Sequence, residues 1–507
     1  MANSVYADKY DMTIGIECHV QLATATKLFS GADNDARDKA PNSVVSPIDF
    51  GLPGMLPVLN REAVNLAIIA GKALNSEIAK VSRFDRKHYF YPDLPKGYQT
   101  TQMYNPIILG GFVDAPLDDG TNVHVRLHHA HMEEDAGKLT HYGDYSLVDL
   151  NRAGTPLIEI VSEPDIHSAA AAKAYATELY RLMTYAGVTL GDLYHGNMRF
   201  DVNVSIAPKG ATELGTRAEV KNLNSFKSVE RAAEYEFNRQ AELLEKGERI
   251  VQETRGWDEA KQKTTSQRSK EDAQDYRYMP DADIPPIVLT EEEIAEIQAN
   301  FPMLPGEWRE ILESIGLDYL QISTLLDLEN EMKLSHGRGT SVLEYIKDAK
   351  DGVLGDDFAK HRAIWTINIL VPLYREDVSL AKIMTGTFLD KIYEDVFLLQ
   401  KSNKLSSTNA KLILKDIVIS EYKDEYGESG YVEKYAQEKG YIQESNEGAI
   451  AAIVDEVLAD PGSAQAVKDL KEGNEKVIGF LVGQVMKKSQ GKANPELAQK
   501  LIRERVE

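Results

Sequence analysis

From Met12 to Leu22 the chain reads Met-Thr-Ile-Gly-Ile-Glu-Cys-His-Val-Gln-Leu, and the two sides of this stretch differ in character without a break. Met12, Ile14, Ile16, Cys18, Val20 and Leu22 share one side, while Thr13, Gly15, Glu17, His19 and Gln21 share the other. A period of two describes a β-strand with one buried face. Glu17 and His19 then project from the same face, about 6.5–7 Å apart at Cα from the rise per residue. A metal ion or a polar substrate fits above such a pair. The solvated outer face of an antiparallel sheet produces the same pattern.

A length of 507 residues exceeds one ordinary domain and predicts two or three. With 43% hydrophobic and 27% charged residues the chain has enough apolar surface for a globular core. It contains no run of 18 apolar residues, and Met-Ala-Asn-Ser-Val-Tyr-Ala-Asp-Lys at its start lacks the order of a signal peptide. Cys18 is its one cysteine, which excludes a disulfide framework and a cysteine-based zinc site. These features predict a soluble, cytoplasmic protein. A net charge of −23 argues against nucleic-acid binding through the whole surface. Residues 471–507 oppose that sign, with eight Lys/Arg against five Asp/Glu, as a local basic footprint or a solvated helix face would.

Residues 1 to about 295 read as a mixture of strands and helices punctuated by turns such as Gly51-Leu52-Pro53-Gly54 and Asp118-Asp119-Gly120. Met198 to Ile206 repeats the opening pattern, with Met198, Phe200, Val202, Val204 and Ile206 on one side and Arg199, Asp201, Asn203 and Ser205 on the other. Helices are predicted over Ser168–Gly187 and Ser225–Gly247, each opened by a serine that can cap. The regular βαβ cadence is missing. The expected fold class is therefore α+β: an antiparallel-rich sheet with helices packed on one face and a polar binding floor on the other. Beyond the proline-rich Pro280 to Pro286, Thr290 opens a helix with three glutamates in its first turn, and the pattern becomes helical to the end. The predicted domains are 1–295, a helical segment at 296–400, and a small all-α tail at 401–507 that starts near the capping residues Ser406, Ser407 and Thr408.

No P-loop, Gly-x-Gly-x-x-Gly, His-Glu-x-x-His or Gly-x-Ser-x-Gly motif occurs. The chain instead carries dense polar blocks. Phe84-Asp85-Arg86-Lys87-His88-Tyr89 interleaves cations with aromatics ahead of Lys96, Tyr98 and Gln99. His131-Met132-Glu133-Glu134-Asp135 sets three acids in a row, and Glu159 sits between isoleucines, where burial would demand a partner. Further blocks are Glu219-Val220-Lys221-Asn222, Glu253-Thr254-Arg255, Arg268-Ser269-Lys270-Glu271 and Asp275-Tyr276-Arg277-Tyr278. Taken singly, a run of acids is a solvated turn and an aromatic-basic run is a half-exposed strand. Taken together, carboxylates with one imidazole suit Mg²⁺ or Mn²⁺, and Arg and Lys among aromatics suit phosphate and stacked bases. These are the ingredients of phosphoryl transfer.

The blocks, in order, resemble the B subunit of the bacterial aspartyl/glutamyl-tRNA amidotransferases, the GatB family. The resemblance rests on residues 14–22, 53–60, 84–99, 131–138, 147–165, 219–226, 253–257 and 275–278, and near the end on 479–487 and 491–495. One strand departs, reading His195-Gly196-Asn197-Met198-Arg199-Phe200-Asp201-Val202-Asn203 where the family has an acidic residue and Gly-Ser ahead of Arg-Cys-Asp-Ala-Asn. The resemblance implies that ATP and Mg²⁺ are used to phosphorylate the side-chain carboxylate of Glu or Asp mischarged on tRNA(Gln) or tRNA(Asn). Ammonia from a partner A subunit, a glutaminase, would then displace phosphate. A small C subunit would complete a heterotrimer, and the tail would be a YqeY-like tRNA-binding module. It further implies Glu17, His19, Glu134 and Glu159 as metal ligands, and Lys87, Lys96, Arg199 and Asp201 as catalytic. Arg86, Tyr89, Asn203, Glu219, Lys221, Asn222, Arg255 and Arg277 would contact substrate or ATP. The alternative reading is a non-catalytic tRNA-binding scaffold subunit. A free-standing ligase using dissolved ammonia and a metal-dependent phosphohydrolase are further rivals.

Overall fold

The structure, a computed structural model, describes residues 5–269, 275–336, 341–380, 388–420, 430–443, 447–489 and 493–506. Lys270 and Glu271 of one polar block, and Gly491 and Lys492 of the tail motif, lie outside the described residues, as do the side chains of Asn222, Arg268 and Ser269. The chain divides into two compact units, residues 1–308 and 309–507.

Among the described residues of the first unit, ten strands form one sheet. In chain order they are β1 (Tyr10–Gln21), β2 (Glu77–Ile78), β3 (Ile108–Leu109), β4 (Phe112–Pro116), β5 (Asn122–Glu134), β6 (Pro156–Ser162), β7 (Met198–Pro208), β8 (Ala218–Leu223), β9 (Glu253–Asp258) and β10 (Lys263–Ser269). Across the sheet the order is β10-β9-β8-β7-β1-β6-β5-β3-β2, with β4 paired to β5. The opening alternating strand is thus central, flanked by its near-copy β7 and by β6. The pairs are antiparallel except β8–β9, which are parallel and joined through a helix, as a parallel pair requires.

One face of this sheet is the core. Ile14, Ile16, Cys18 and Val20 of β1, Ile158 and Ile160 of β6, and Phe200, Val202 and Val204 of β7 are all at most 1% exposed. Three helices cover that face: α1 (Arg61–Ala73), α2 (Ala169–Tyr185) and α3 (Phe226–Glu245). The capping serines behave as their chemistry predicts. Ser168 Oγ accepts from Ala171 N and Ser225 Oγ accepts from Ser228 N. Gly187 and Gly247 stop α2 and α3 at φ of +71° and +73°, a conformation that costs glycine nothing. Helices on one side leave the polar halves of the central strands on the other, as an α+β arrangement predicts.

The second unit is helical throughout its described residues. Helix Gly355–Trp365 runs through a π-turn at Thr366–Leu370 into Val371–Glu376, where Pro372 supplies no backbone donor. Near the end, helices Glu447–Leu458, Ile478–Lys488 and Pro495–Val506 close a small core around Ile450, Val454, Leu481, Val485, Leu501 and Ile502. Among the described residues, no helix is long and apolar enough to cross a membrane.

Candidate functional site

The floor of the site follows from register. His19 lies opposite Glu159 on one neighbour and Arg199 on the other, Glu17 lies opposite Asp201, and Glu159 lies opposite His131. Side chains paired in this way stand about 4.5–5.5 Å apart at Cβ. Alternation in several adjacent strands therefore concentrates acids and imidazoles on one patch.

Two groups of potential ligands result, each with its donor atoms within 4.8 Å of one another: His19, Glu133 and Glu159, and beside them Glu17, Asp201 and Glu219. His19 Nδ1 is buried, 3.2 Å from Glu133 Oε1 and 4.0 Å from Glu159 Oε2. Neither meets it along the N–H direction, so both contacts are ion pairs without a hydrogen bond. Its Nε2 lies 3.8 Å from Asp201 Oδ2. Burial alone would lower the basicity of His19, but Asp201 and the charges of Glu133 and Glu159 outweigh it and hold the imidazole well above its usual range. Glu17 moves upward, through burial and then the nearby charges of Glu159 and Glu219. Burial pushes Glu159 up too, but His131, 3.3 Å away, His19 and Lys87 outweigh it and bring the acid down. Two carboxylates converging on a buried imidazole nitrogen with no hydrogen-bond partner fit a hard divalent cation such as Mg²⁺ or Mn²⁺.

The expected ligand set needs two corrections. Glu134 is not in the His19 group: Lys96 Nζ contacts its Oε1, and Thr100 N donates to the same oxygen at 2.8 Å. Glu133 takes its place, held by Gln99 Nε2 at 3.1 Å. The reason is parity, since His131 and Glu133 share a face of β5 and Glu134 points to the other. Glu17 belongs to the second acid group, where Asn203 Nδ2 donates to it at 3.0 Å.

The other expected residues divide in the same way. A small sheet of Asp85–His88, Tyr98–Thr101 and Met279–Pro280 carries Lys87 to the floor. Lys87, Glu17, His19, Glu133, Glu159 and Lys221 line one cleft of about 400 Å³. The Lys87 ammonium lies 4.9 Å from the ring centre of Tyr276, and Glu133 and Glu159 raise its basicity against the opposing effect of burial. Asp201 and Glu219 hold Lys221. Arg199 donates to Asp135 at 2.9 Å, and Arg152 lies 3.0 Å from the same oxygen. Arg86 is a clamp of the fold, paired through two bonds with Asp281 and through a third with Asp283. The Tyr89 ring packs edge-on against Tyr276, and Arg277 presents its carbonyl to His88 from a left-handed backbone at φ +44°. Arg255 lies on the opposite, helix-covered face. It pairs with Glu236 of α3 at 3.1 Å and donates to Thr264 at 2.7 Å. Its neighbour Thr254 faces the floor and donates to Glu219 at 2.8 Å. Among the residues not predicted, Glu133 and Thr254 were open to the same alternation count that selected Glu17 and His19. Gln99 sits on a strand of only four residues and Asp135 in the connection after β5, where periodicity holds no signal.

Two further cavities adjoin the floor. One of about 490 Å³ lies beyond Gln21, with Arg37, Arg152 and the exposed Tyr194 on its walls. Another of about 360 Å³ lies beyond Gly15 and is bounded by Glu17, Asn203 and Arg217. An acid-lined centre beside lysines, on the open face of an antiparallel-rich sheet, defines a class of metal-assisted group-transfer proteins. Residues 12–295 match the family described as GatB/GatE catalytic domain, and residues 353–506 match the family described as GatB domain. The chain is 41% identical to the B subunit of the aspartyl/glutamyl-tRNA(Asn/Gln) amidotransferase of Carboxydothermus hydrogenoformans, over 98% of its own length and 99% of that protein's. It is 42% identical to the protein of the same name from Persephonella marina (98% and 99%) and 41% to that from Pseudomonas aeruginosa (98% and 100%). The chain belongs to the GatB family.

Proposed function

We propose that this chain activates the side-chain carboxylate of Glu or Asp misacylated on tRNA by ATP-dependent phosphorylation, and that ammonia then displaces the phosphate. The products are Gln-tRNA(Gln) or Asn-tRNA(Asn). The chain is thus the B subunit of a glutamine-dependent ligase forming carbon–nitrogen bonds, and its relatives carry that name. A small C subunit and a glutaminase A subunit complete the cytoplasmic complex. The tail at 401–507 is the module that binds tRNA.

The observation that carries this reading is the His19–Glu133–Glu159 group with Lys87 above it. A carboxylate and ATP repel each other, and the reaction needs both anions in contact. Mg²⁺ held by His19, Glu133 and Glu159 would supply charge compensation at the transferring phosphoryl group. Lys87 contributes a second cation whose ammonium, among the described residues, has only an aromatic ring against it, so it is free to meet phosphate. Gln99 orients Glu133, and His131 orients Glu159. The cavity beyond Gln21 suits the aminoacyl end. Gln21 is two residues from His19 on one strand face, about 6.5–7 Å away, which is the reach of an esterified glutamate side chain. A scaffold without chemistry has no use for this buried acid group and is not favoured.

The test is Gln-tRNA formation from Glu-tRNA with ATP, Mg²⁺ and ammonium, in the complex with its A and C partners. Glu159→Gln should lower turnover by at least about 10²-fold, the usual effect of losing one preorganised charge contact. Equal activity in wild type and variant would refute this site.

A further inference from the structure

The second acid group, Glu17, Asp201 and Glu219, offers three carboxylate oxygens within 4.8 Å of one another, immediately beside the His19 group. Phosphoryl-transfer centres with two ions hold them about 3.5–4 Å apart, each ion among such oxygens. Here a lysine ammonium stands in that place. Lys221 Nζ lies 2.6 Å from Asp201 Oδ2 and 2.9 Å from Glu219 Oε1. The remaining polar contacts of the group are neutral donors: Asn203 Nδ2 to Glu17 at 3.0 Å and Thr254 Oγ1 to Glu219 at 2.8 Å. The same Asp201 oxygen lies 3.8 Å from His19 Nε2, whose Nδ1 is buried without a hydrogen-bond partner, so the two groups share a boundary.

The backbone explains how the lysine arrives. Phe200 pairs with Leu223 and Val202 with Val220, so β8 carries one residue more than β7 between these pairs. Bulges of this kind sit beside active sites and re-aim side chains. Val220 and Leu223 both remain in the core, at 0% and 1% exposure, and the bulge falls between them at Lys221 and Asn222.

We infer that Lys221 is the built-in second cation of the centre. It is a positioning residue whose ammonium holds Asp201 and Glu219, takes the place of a second divalent ion and keeps this a one-metal site. The inference rests on reading His19, Glu133 and Glu159 as metal ligands. A covalently attached cation is always present, whatever the metal concentration, and holds Asp201 next to His19 while the first ion enters or leaves.

The test counts Mn²⁺ bound to the full-length chain, by the loss of the free-ion paramagnetic resonance signal and by calorimetry. Wild type and Lys221→Arg should each bind one ion. Lys221→Met should bind two, and Lys221→Met combined with Glu219→Gln should return to one. Retained affinity at the first site reports that the variant is folded; if Lys221→Met loses it, Lys221→Gln carries the same expectation with a polar side chain. Two ions in wild type, or one in both neutral variants, would overturn the inference while leaving the metal reading in place. No ion in wild type, or Glu159→Gln binding as wild type does, would overturn the metal reading and the inference with it.

Discussion

Arg255 provides the sharpest separation of a structural from a ligand-binding role. Glu236 is 0% exposed and lies on α3 facing the sheet. Its carboxylate meets Arg239 Nη2 at 2.7 Å, Arg255 Nε at 3.1 Å and Gln240 Nε2 at 3.3 Å. Arg255 also contacts Glu253. The two ends of this network are therefore unequal. Arg255→Met leaves Glu236 with Arg239 and Gln240, and it removes one charged hydrogen-bonding partner, for about 1.5–3 kcal/mol. Glu236→Gln leaves two arginines short of a partner. Breaking a buried ion pair from one side costs about 3–5 kcal/mol, and because Arg255 retains Glu253 the lower end of that range applies. At about 2 °C per kcal/mol for a unit of this size, melting should fall by about 3–6 °C for Arg255→Met and about 6–8 °C for Glu236→Gln. The double variant should lose less than the sum, since the sites share partners. Thermal unfolding should be measured together with the KM for ATP, which Arg255→Met should leave within about twofold. An Arg255→Met protein with unchanged melting and an ATP KM raised tenfold or more would refute the argument.

The parity of β5 predicts opposite outcomes for adjacent glutamates. Glu133→Gln should weaken Mn²⁺ binding by about 10–100-fold and Glu134→Gln should leave it nearly unchanged, as calorimetry can read directly. His19 predicts a pH dependence. Its pKa is raised in the metal-free protein, and a ligating imidazole must be neutral, so metal binding expels a proton. Affinity should therefore rise with pH, by up to about tenfold per unit, until the pH passes that raised pKa, with close to one proton released below it. Titrations in two buffers of different ionisation enthalpy measure this, and pH-independent affinity across the neutral range would contradict it. The same group also acts on folding. Because its folded pKa lies above the unfolded value, its stabilising contribution is fully present below the unfolded pKa and is lost as pH rises through the folded one.

The strands, the helices and the polar face of this protein were determined by the sequence alone. Period-two alternation in Met12–Leu22 and Met198–Ile206 dictated two strands with one buried side, and those strands are neighbours in the centre of the sheet. Ser168, Ser225, Gly187 and Gly247 bounded two helices through local backbone hydrogen bonding and left-handed geometry, effects that act over a few residues. Ordered motif resemblance along nearly the whole chain identified the family. Which carboxylates meet, however, depends on partners distant in sequence. His19 and Glu159 are brought together by the pairing of β1 with β6, and the placing of Glu133 above Glu134 needs the position of β5 beside them. The parallel strand β9 turns Thr254 to the floor and Arg255 to the helices, a choice of face that its six residues do not reveal because neither side is uniformly apolar. Asp201 and Lys221 likewise meet across a bulge that no periodicity announces. Local chemistry thus decided what each segment could become. Tertiary register, set by the one arrangement that buries every apolar face, decided which charges had to coexist.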